Sequence, residues 1–341
     1  MQRLTSQREI SIAFQTDKTP AEYIALAKLV DQYAFDAASV YCDAPFHPSY
    51  GPLLLMAPHL RRARVGPAAV SPSRIHPVDM AAETALLASA APGGAYLGIA
   101  RGAWLAQHGM TEIPRPIQAI REAVAIVRQL LSGESGGFQG EVYRIAESVR
   151  APYPLPERPI PVMIGSWGRK LCALAGEIAD EVKVGGSANP DIVPVIRGYI
   201  AEGEARAGRA PGTVGIVLGA VTVADEDREA AREAARRAAV LYLPVVAPLD
   251  PTVQVEPELI ARLQVHADRG EFEAGARLIS DALLDRFAFS GNAADLTAHV
   301  ERCYAAGAGR IEFGTPHGLV PAQGIRILGE QVIPALHRYT V

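Results

Sequence analysis

Residues Pro159–Gly186 read PIPVMIGSWGRKLCALAGEIADEVKVGG, and this stretch decides the class of fold. Ile160, Val162 and Ile164 form a short apolar run that opens after proline, and Gly165-Ser166-Trp167-Gly168 breaks it. Leu171, Leu174, Ala175 and Ile178 then recur at helical spacing, and Val182 and Val184 begin a further alternating run. Strand, small-residue loop, helix and strand in that order make a βαβ unit. The loop stands at the carboxyl end of a strand and the amino end of a helix, where unpaired backbone N–H groups and the helix dipole attract anions. Arg169 and Lys170 add positive charge. Two readings of the loop stand side by side: a phosphate cradle, or an ordinary strand-to-helix turn with a surface Arg-Lys pair.

The alternation continues on both sides. Upstream, strands are predicted over Ile10–Phe14, Ala37–Cys42, Arg64–Val70 and Gly94–Ala100. Helices over Pro20–Tyr33, Tyr50–Leu60, Pro77–Ser89 and Pro116–Leu131 separate them, the last with Ile117, Ile120, Val124, Val127 and Leu131 in phase. The turn-rich segment Gly136–Pro154 reads as an excursion or small hairpin. Downstream come a helix over Pro190–Ala207, a long strand over Val214–Val223, and a helix over Asp225–Arg237 that begins with acids and ends with arginines. An insertion of further helices fills Leu241–Leu284, then a helix over Asn292–Ala306, a strand over Arg310–Gly314 and a closing helix over Ala322–Tyr339. Eight such units with right-handed crossovers in 341 residues predict an α/β fold: a closed (β/α)8 TIM barrel with an insertion after strand seven. The whole chain, 1–341, is read as one domain, with the helical insertion at about 241–284. A doubly wound open sheet is the alternative, and it lacks the G-x-G-x-x-G expected after its first strand.

Composition narrows the function. With 49% hydrophobic and 21% charged residues and a net charge of −4, the chain carries no basic footprint for nucleic acid. No apolar run approaches the ~20 residues of a membrane span, and the opening MQRLTSQREI lacks a signal-peptide core. Cys42, Cys172 and Cys303 are odd in number and have no ligand spacing, so neither a disulfide framework nor a metal site is expected. A cytoplasmic enzyme acting on a small molecule is the expectation.

Five segments together resemble the bacterial-luciferase-like barrel superfamily, most closely its methylenetetrahydromethanopterin reductase branch. They are AEYIALAKLVDQYAFDAASV (21–40), VGPAAVSPSRIHP (65–77), YLGIARG (96–102), PIPVMIGSWGRKLCALAGEIADEV (159–182) and IEFGTPHGLVPAQGIRILGEQVIPAL (311–336). The match runs in order along nearly the whole chain. The resemblance implies a homodimeric barrel whose site, at the carboxyl ends of the strands, holds FMN or the deazaflavin coenzyme F420, with F420 used in the reductase branch. It places the phosphate arm of the cofactor over Gly165, Ser166, Trp167 and Gly168. It also implies a non-proline cis peptide between Ala68 and Ala69, so that Ala68, Ala69 and Val70 back the cofactor ring, where the local reading would be a plain strand punctuated by Pro67 and Pro72. Arg101 becomes a candidate for a cofactor phosphate or a substrate carboxylate, against a surface ion pair.

The chain departs from the family pattern at three strand ends. Ala13 or Phe14 stands where the reductases carry glutamate, Tyr41-Cys42-Asp43 replaces an aspartate and histidine, and Ala103 and Trp104 follow Arg101-Gly102 where an acid is usual. Alanine cannot pass a proton. The catalytic candidates left are Asp43, His47 and His317, with Gln15, Ser71, His76, Trp104 and His108 also near the expected mouth. Each has a plainer reading: Asp43 as a turn cap, His47 as a loop residue, His76 as a helix cap, Trp104 and Trp167 as packed rings. The expected function is an F420-dependent oxidoreductase passing a hydride between the deazaflavin and a small substrate bearing C=C, C=N or a methylene-pterin. The alternatives are an FMN-dependent monooxygenase of the same family, fed by a separate reductase, and a redox-inactive metabolite-binding barrel. The helix faces of Leu53, Leu54 and Met56 and of Ala81, Ala85 and Leu86 are the expected dimer surface.

Overall fold

The computed structural model describes residues 8–337; the first seven residues and the last two of the expected closing helix, Arg338 and Tyr339, lie outside the described residues. Among them are strands β1 (Glu9–Phe14), β2 (Ala37–Val40), β3 (Arg64–Pro67), β4 (Leu97–Ala100), β5 (Phe138–Gln139), β6 (Arg144–Ile145), β7 (Val162–Gly165), β8 (Glu181–Gly185), β9 (Gly215–Ala224), β10 (Ala288–Gly291) and β11 (Arg310–His317). Eight of them run parallel in the order β3-β2-β1-β11-β9-β8-β7-β4. Bridges Val65–Ala95 and Val70–Ile99 join β3 to β4 and bring the ring round to a barrel. The expected (β/α)8 architecture is therefore the observed one.

Two strands are shorter than their apolar runs. β3 ends at Pro67, the Ala68–Ala69 peptide that follows is cis, and the chain rejoins the ladder at Val70. β2 ends at Val40, before Tyr41-Cys42-Asp43 swing over the mouth. β10 is a strand that the sequence reading left unassigned. β9 has ten residues; its first half pairs with β8 (Gly215–Gly219 against Glu181–Gly185), and its second half pairs with β10 (Val221–Ala224 against Ala288–Gly291). Four residues of β10 are too few to show a period of their own.

The excursion after helix Pro116–Leu131 contains the β5–β6 hairpin. The buried Glu122 carboxylate fixes it by accepting the N–H groups of Glu141, Val142 and Tyr143 at 2.8, 3.0 and 2.9 Å. The insertion contains helices Leu243–Val246, Pro257–Asp268, Phe272–Ala276 and Asp281–Phe287. In the closing helix a π turn over Leu328–Val332 precedes Pro334, which has no N–H to donate to the turn before it.

Burial follows the two faces of each strand. Ile12, Ile164, Val182, Val184, Ile311 and Phe313 belong to the core shared with the helices, each contributing about 1.5–3 kcal/mol by leaving water. Tyr96, Met163 and Val217 form a separate small cluster, one residue out of phase with that core, inside the barrel. The insertion helices bury Val240, Leu243, Leu263, Leu284 and Phe287 in a third cluster against β9. Of the six residues expected on a dimer surface, Leu53, Met56, Ala81 and Ala85 are buried within the chain itself, Leu54 is half-buried and Leu86 is exposed. The apolar stripes of those helices serve the barrel.

Candidate active site

The barrel interior holds charge where aliphatic layers would be the simplest filling. At the amino ends of the strands, Arg64 pairs with Glu9 at 2.5 Å and with Glu181 at 3.3 Å, and Arg310 pairs with Glu181 at 2.6 Å. One layer higher, Glu312 accepts from Lys183 and from Ser39, whose hydroxyl lies 2.7 Å from the Tyr96 hydroxyl. Burial alone would push the Glu312 carboxyl up, but Lys183 and Arg310 together with the hydrogen bonds from Lys183 and Ser39 hold it below the usual carboxylate range. The Lys183 ammonium lies 5.2 Å from the centre of the Tyr41 ring. A side chain at Gly219 would come within 3.2 Å of Lys183 and 3.3 Å of Glu312, so glycine there leaves room for the pair.

Above this layer a cavity of about 690 Å3 opens at the carboxyl ends of the strands. Tyr41, Asp43, Ala68, Ala69, Ala100, Gly165, Lys183, Gly185 and Val221 line it from the barrel. Trp104 comes from the loop after β4, and Tyr242, Val246 and Leu249 come from the insertion. Trp104, held at a left-handed φ of 53°, meets Tyr242 edge-on with ring centres 6.2 Å apart, so the β4 loop and the insertion touch above the cavity. The N–H of Thr16 donates to Gln15 Oε1 at 2.9 Å, which leaves the amide NH2 of Gln15 for Asp43 and Tyr242, its other two side-chain partners. Loss of water around Asp43 pushes its carboxyl pKa up, opposed by the hydrogen bond from Gln15 and by the charges of Lys183, Arg74 and His108. Asp43 is thereby a carboxyl that keeps its proton to higher pH than an exposed one.

The loop Gly165–Gly168 forms the other end of the cavity, between β7 and helix Arg169–Ile178. Ser166 donates its N–H to Lys183 O, and its hydroxyl accepts the N–H of Gly168 at 3.1 Å. No backbone acceptor among the described residues takes up the N–H of Trp167, Arg169 or Lys170. A Cβ added at Gly168 would meet nothing within 4 Å, so open space lies beside these donors. Trp167 is tied down by its indole N–H, which donates to Gly185 O at 2.9 Å.

The remaining sequence candidates are spread over several environments. Ala68 and Ala69 line the cavity and the peptide between them is cis, whereas Val70 is buried behind them. Arg101 reaches the rim, but its guanidinium is engaged with Glu112 at 2.8 and 2.9 Å. His47 is exposed and stands outside the cavity lining. His317 is also outside it: the ring is buried against Phe14, Nε2 lies 3.0 Å from Ala13 O, and burial lowers its pKa to about 4. A neutral imidazole donating to a backbone carbonyl is a structural group. His76 accepts the Val78 N–H at 3.3 Å and caps its helix. Ser71 donates to Arg101 O at 2.5 Å, and His108 Nδ1 lies 2.8 Å from Trp104 O. Among the described residues no group of His, Cys, Asp and Glu is placed to hold a metal ion, and no helix is long and apolar enough to cross a membrane.

A family profile described as luciferase-like monooxygenase matches residues 4–310. The chain belongs to the luciferase-like family. It is 28% identical over 339 residues to the 5,10-methylenetetrahydromethanopterin reductase of Archaeoglobus fulgidus, covering 96% of this chain and 99% of that protein. It is 26% identical over 346 residues to the F420-dependent glucose-6-phosphate dehydrogenase of Nakamurella multipartita, covering 93% of each. Among solved structures, the coenzyme F420-dependent tetrahydromethanopterin reductase of Methanopyrus kandleri superposes with a TM-score of 0.88 at 23% identity, over 97% of this chain and 100% of that one.

In this luciferase-like barrel, sequence reasoning missed Lys183, Glu312, Tyr41 and Tyr242. The signal for the first two was present. Glu181 and Lys183 alternate with Val182 and Val184, and Arg310 and Glu312 alternate with Ile311 and Phe313. Two strands with opposed charges on one face predict an ionic barrel interior. Tyr242 carried no such signal, because its position over Asp43 depends on how the insertion folds back.

Proposed function

We propose that this protein is an F420-dependent oxidoreductase that moves a hydride between the deazaflavin and a small organic substrate. The reading rests on one observation: a loop with unpaired N–H groups and open space beside Gly168 stands at one end of a cavity whose other end holds a proton-retaining carboxyl. Full-length relatives named as F420-dependent or as methanopterin reductases support the same cofactor. Bound F420 supplies the two-electron hydride chemistry. On this reading Gly165, Ser166, Trp167 and Gly168 hold the phosphate arm with Lys170 beside them, and Ala68 and Ala69 with Val70 behind them back the ring. Asp43 holds the proton that the substrate exchanges, kept in place by Gln15, which also bonds Tyr242. Trp104 and Tyr242 limit water above the substrate. Arg101 serves by shaping the rim through Glu112.

The same reading takes the protein as a homodimer, with the exposed Leu86 at the interface; light scattering at micromolar concentration tests this. The cofactor is tested by titrating the protein with F420 and FMN in parallel and following cofactor fluorescence. F420 is expected to bind at micromolar concentration and FMN much more weakly. Binding of FMN alone would move the assignment to a flavin monooxygenase, and binding of neither to a redox-inactive barrel.

A further inference from the structure

We infer that the Asp43 end of the cavity takes an uncharged, largely apolar carbonyl compound and excludes phosphorylated or otherwise anionic substrates. The inference rests on the functional reading above and names the substrate class of that same site. It follows from an account of the cations around the cavity.

Four basic side chains line it: Arg101, Arg169, Lys170 and Lys183. Arg101 is engaged by Glu112 through two hydrogen bonds, and Arg169 by Glu202 at 2.8 Å. Lys183 is paired with Glu312, a carboxylate with no solvent exposure. Lys170 has no ion-pair partner among the described residues, and it stands in the first turn of helix Arg169–Ile178, beside the small-residue loop and away from Asp43. Arg74, whose charge acts on Asp43, stands outside the cavity lining with its guanidinium donating to Cys42 O, so among the described residues no lining cation at the Asp43 end is left without a carboxylate partner.

The rest of that end is hostile to negative charge as well. Asp43 itself is acidic, and an anion beside it would face the like charge or force the carboxyl to stay protonated. Tyr41, Trp104 and Tyr242 give the cavity aromatic surface, and Val221, Val246 and Leu249 add aliphatic wall. A phosphate entering this space would lose hydration without gaining a counter-ion, which is the costly case. A ketone or enone asks for less. Its oxygen needs one donor, which the Asp43 carboxyl offers whenever it carries its proton, and its hydrocarbon body fits the aromatic and aliphatic wall. The site thus differs in charge from what a sugar-phosphate substrate would call for, although a relative bears the name of a glucose-6-phosphate dehydrogenase.

The test is calorimetry on protein saturated with oxidised F420, so that no turnover occurs, titrated separately with 4-phenylbutan-2-one and with glucose 6-phosphate. The ketone is expected to bind at least about 30-fold more tightly. Leu249 lines the rim and is 47% exposed, so Leu249→Lys adds a free cation without disturbing the core. This variant is expected to gain about 10-fold for glucose 6-phosphate and to leave ketone affinity within a few-fold. Tighter or equal binding of glucose 6-phosphate by the unaltered protein would overturn the inference, and so would binding of neither probe. Should F420 itself fail to bind, the cofactor assignment falls; the same two titrations on cofactor-free protein then still decide the substrate class by the same criteria.

Discussion

Replacing Lys183 by methionine tests the account of the barrel interior most directly. The pair it forms with Glu312 is 7% and 0% exposed, and Met keeps most of the lysine stem while removing the charge. Breaking a buried pair by deleting one partner costs about 3–5 kcal/mol, because the other charge stays behind without compensation. Here Glu312 retains the Ser39 hydroxyl, and Arg310 lies 4.0 Å away, so the lower figure of about 3 kcal/mol is expected. With an unfolding entropy of ~2.1 cal/mol/K per residue, 341 residues give about 0.7 kcal/mol/K, and the Tm should fall by about 4 °C. The pH dependence has a definite sign. Glu312 titrates below its unfolded value in the folded protein, so its stabilisation is complete above about pH 4.3 and is lost as pH falls through the folded value. Lys183→Met removes that depression, and the deficit should be full at pH 7 and shrink below about pH 4.3. Adding Glu312→Gln to Lys183→Met should recover about half of the loss or more, since no charge is then left unpaired. Thermal unfolding of the three proteins at both pH values is the assay. An unchanged Tm at pH 7, or a deficit of the same size in acid, would refute the reasoning.

Gly168→Glu should fold normally, because its Cβ meets nothing and an acid suits a helix amino end, yet weaken F420 by at least about 10-fold by placing a carboxylate where the phosphate arm is proposed to lie; unchanged fluorescence titration would put the phosphate elsewhere. Asp43→Asn should keep cofactor affinity and lower turnover by about 10²-fold. The unaltered enzyme, run in the direction that protonates substrate, should lose rate as pH rises through the raised pKa of Asp43, and that limb should vanish from the variant's profile. His299, buried with Nε2 2.8 Å from Ala188 O, has its pKa lowered to about 4 by burial. The unfolded chain takes up that proton first, so stability should fall as pH drops from about 6.5 towards 4, by about 2–3 kcal/mol; the plot of Tm against pH should be flatter over that window in His299→Gln.

The strand-by-strand order of the barrel was legible because each unit carries its own period. Pro159–Gly186 shows this most plainly: β7, the loop, the helix and β8 fall where the apolar spacing puts them. The end of β3 fell at Pro67, short of its apolar run, and β10 escaped because it exists only as the continuation of β8 along the edge of β9. Four of the six residues expected on a dimer surface, Leu53, Met56, Ala81 and Ala85, are buried by the barrel for a related reason. Small and aliphatic side chains at helical spacing announce a buried face, but they do not say whether barrel or partner buries it.

The site divides in the same way. The sequence by itself located the small-residue loop at Gly165–Gly168 between strand and helix, the alanines at 13 and 103, and Asp43 after the second strand, since residue type and strand-end position are local properties. Only the tertiary structure separated Asp43 from His317. One follows β2 and the other closes β11, yet closure of the ring turns Asp43 into the cavity, while a left-handed φ of 74° turns His317 inward onto Ala13 O. It also decided that Lys183 meets Glu312: register pairs Lys183 with Val217 and Glu312 with Gly219, and the two side chains meet across the space that Gly219 leaves, which no single strand encodes. Periodicity fixes which face of an element is buried; the meeting of faces from distant elements is fixed by closure, register and the fold of the insertion.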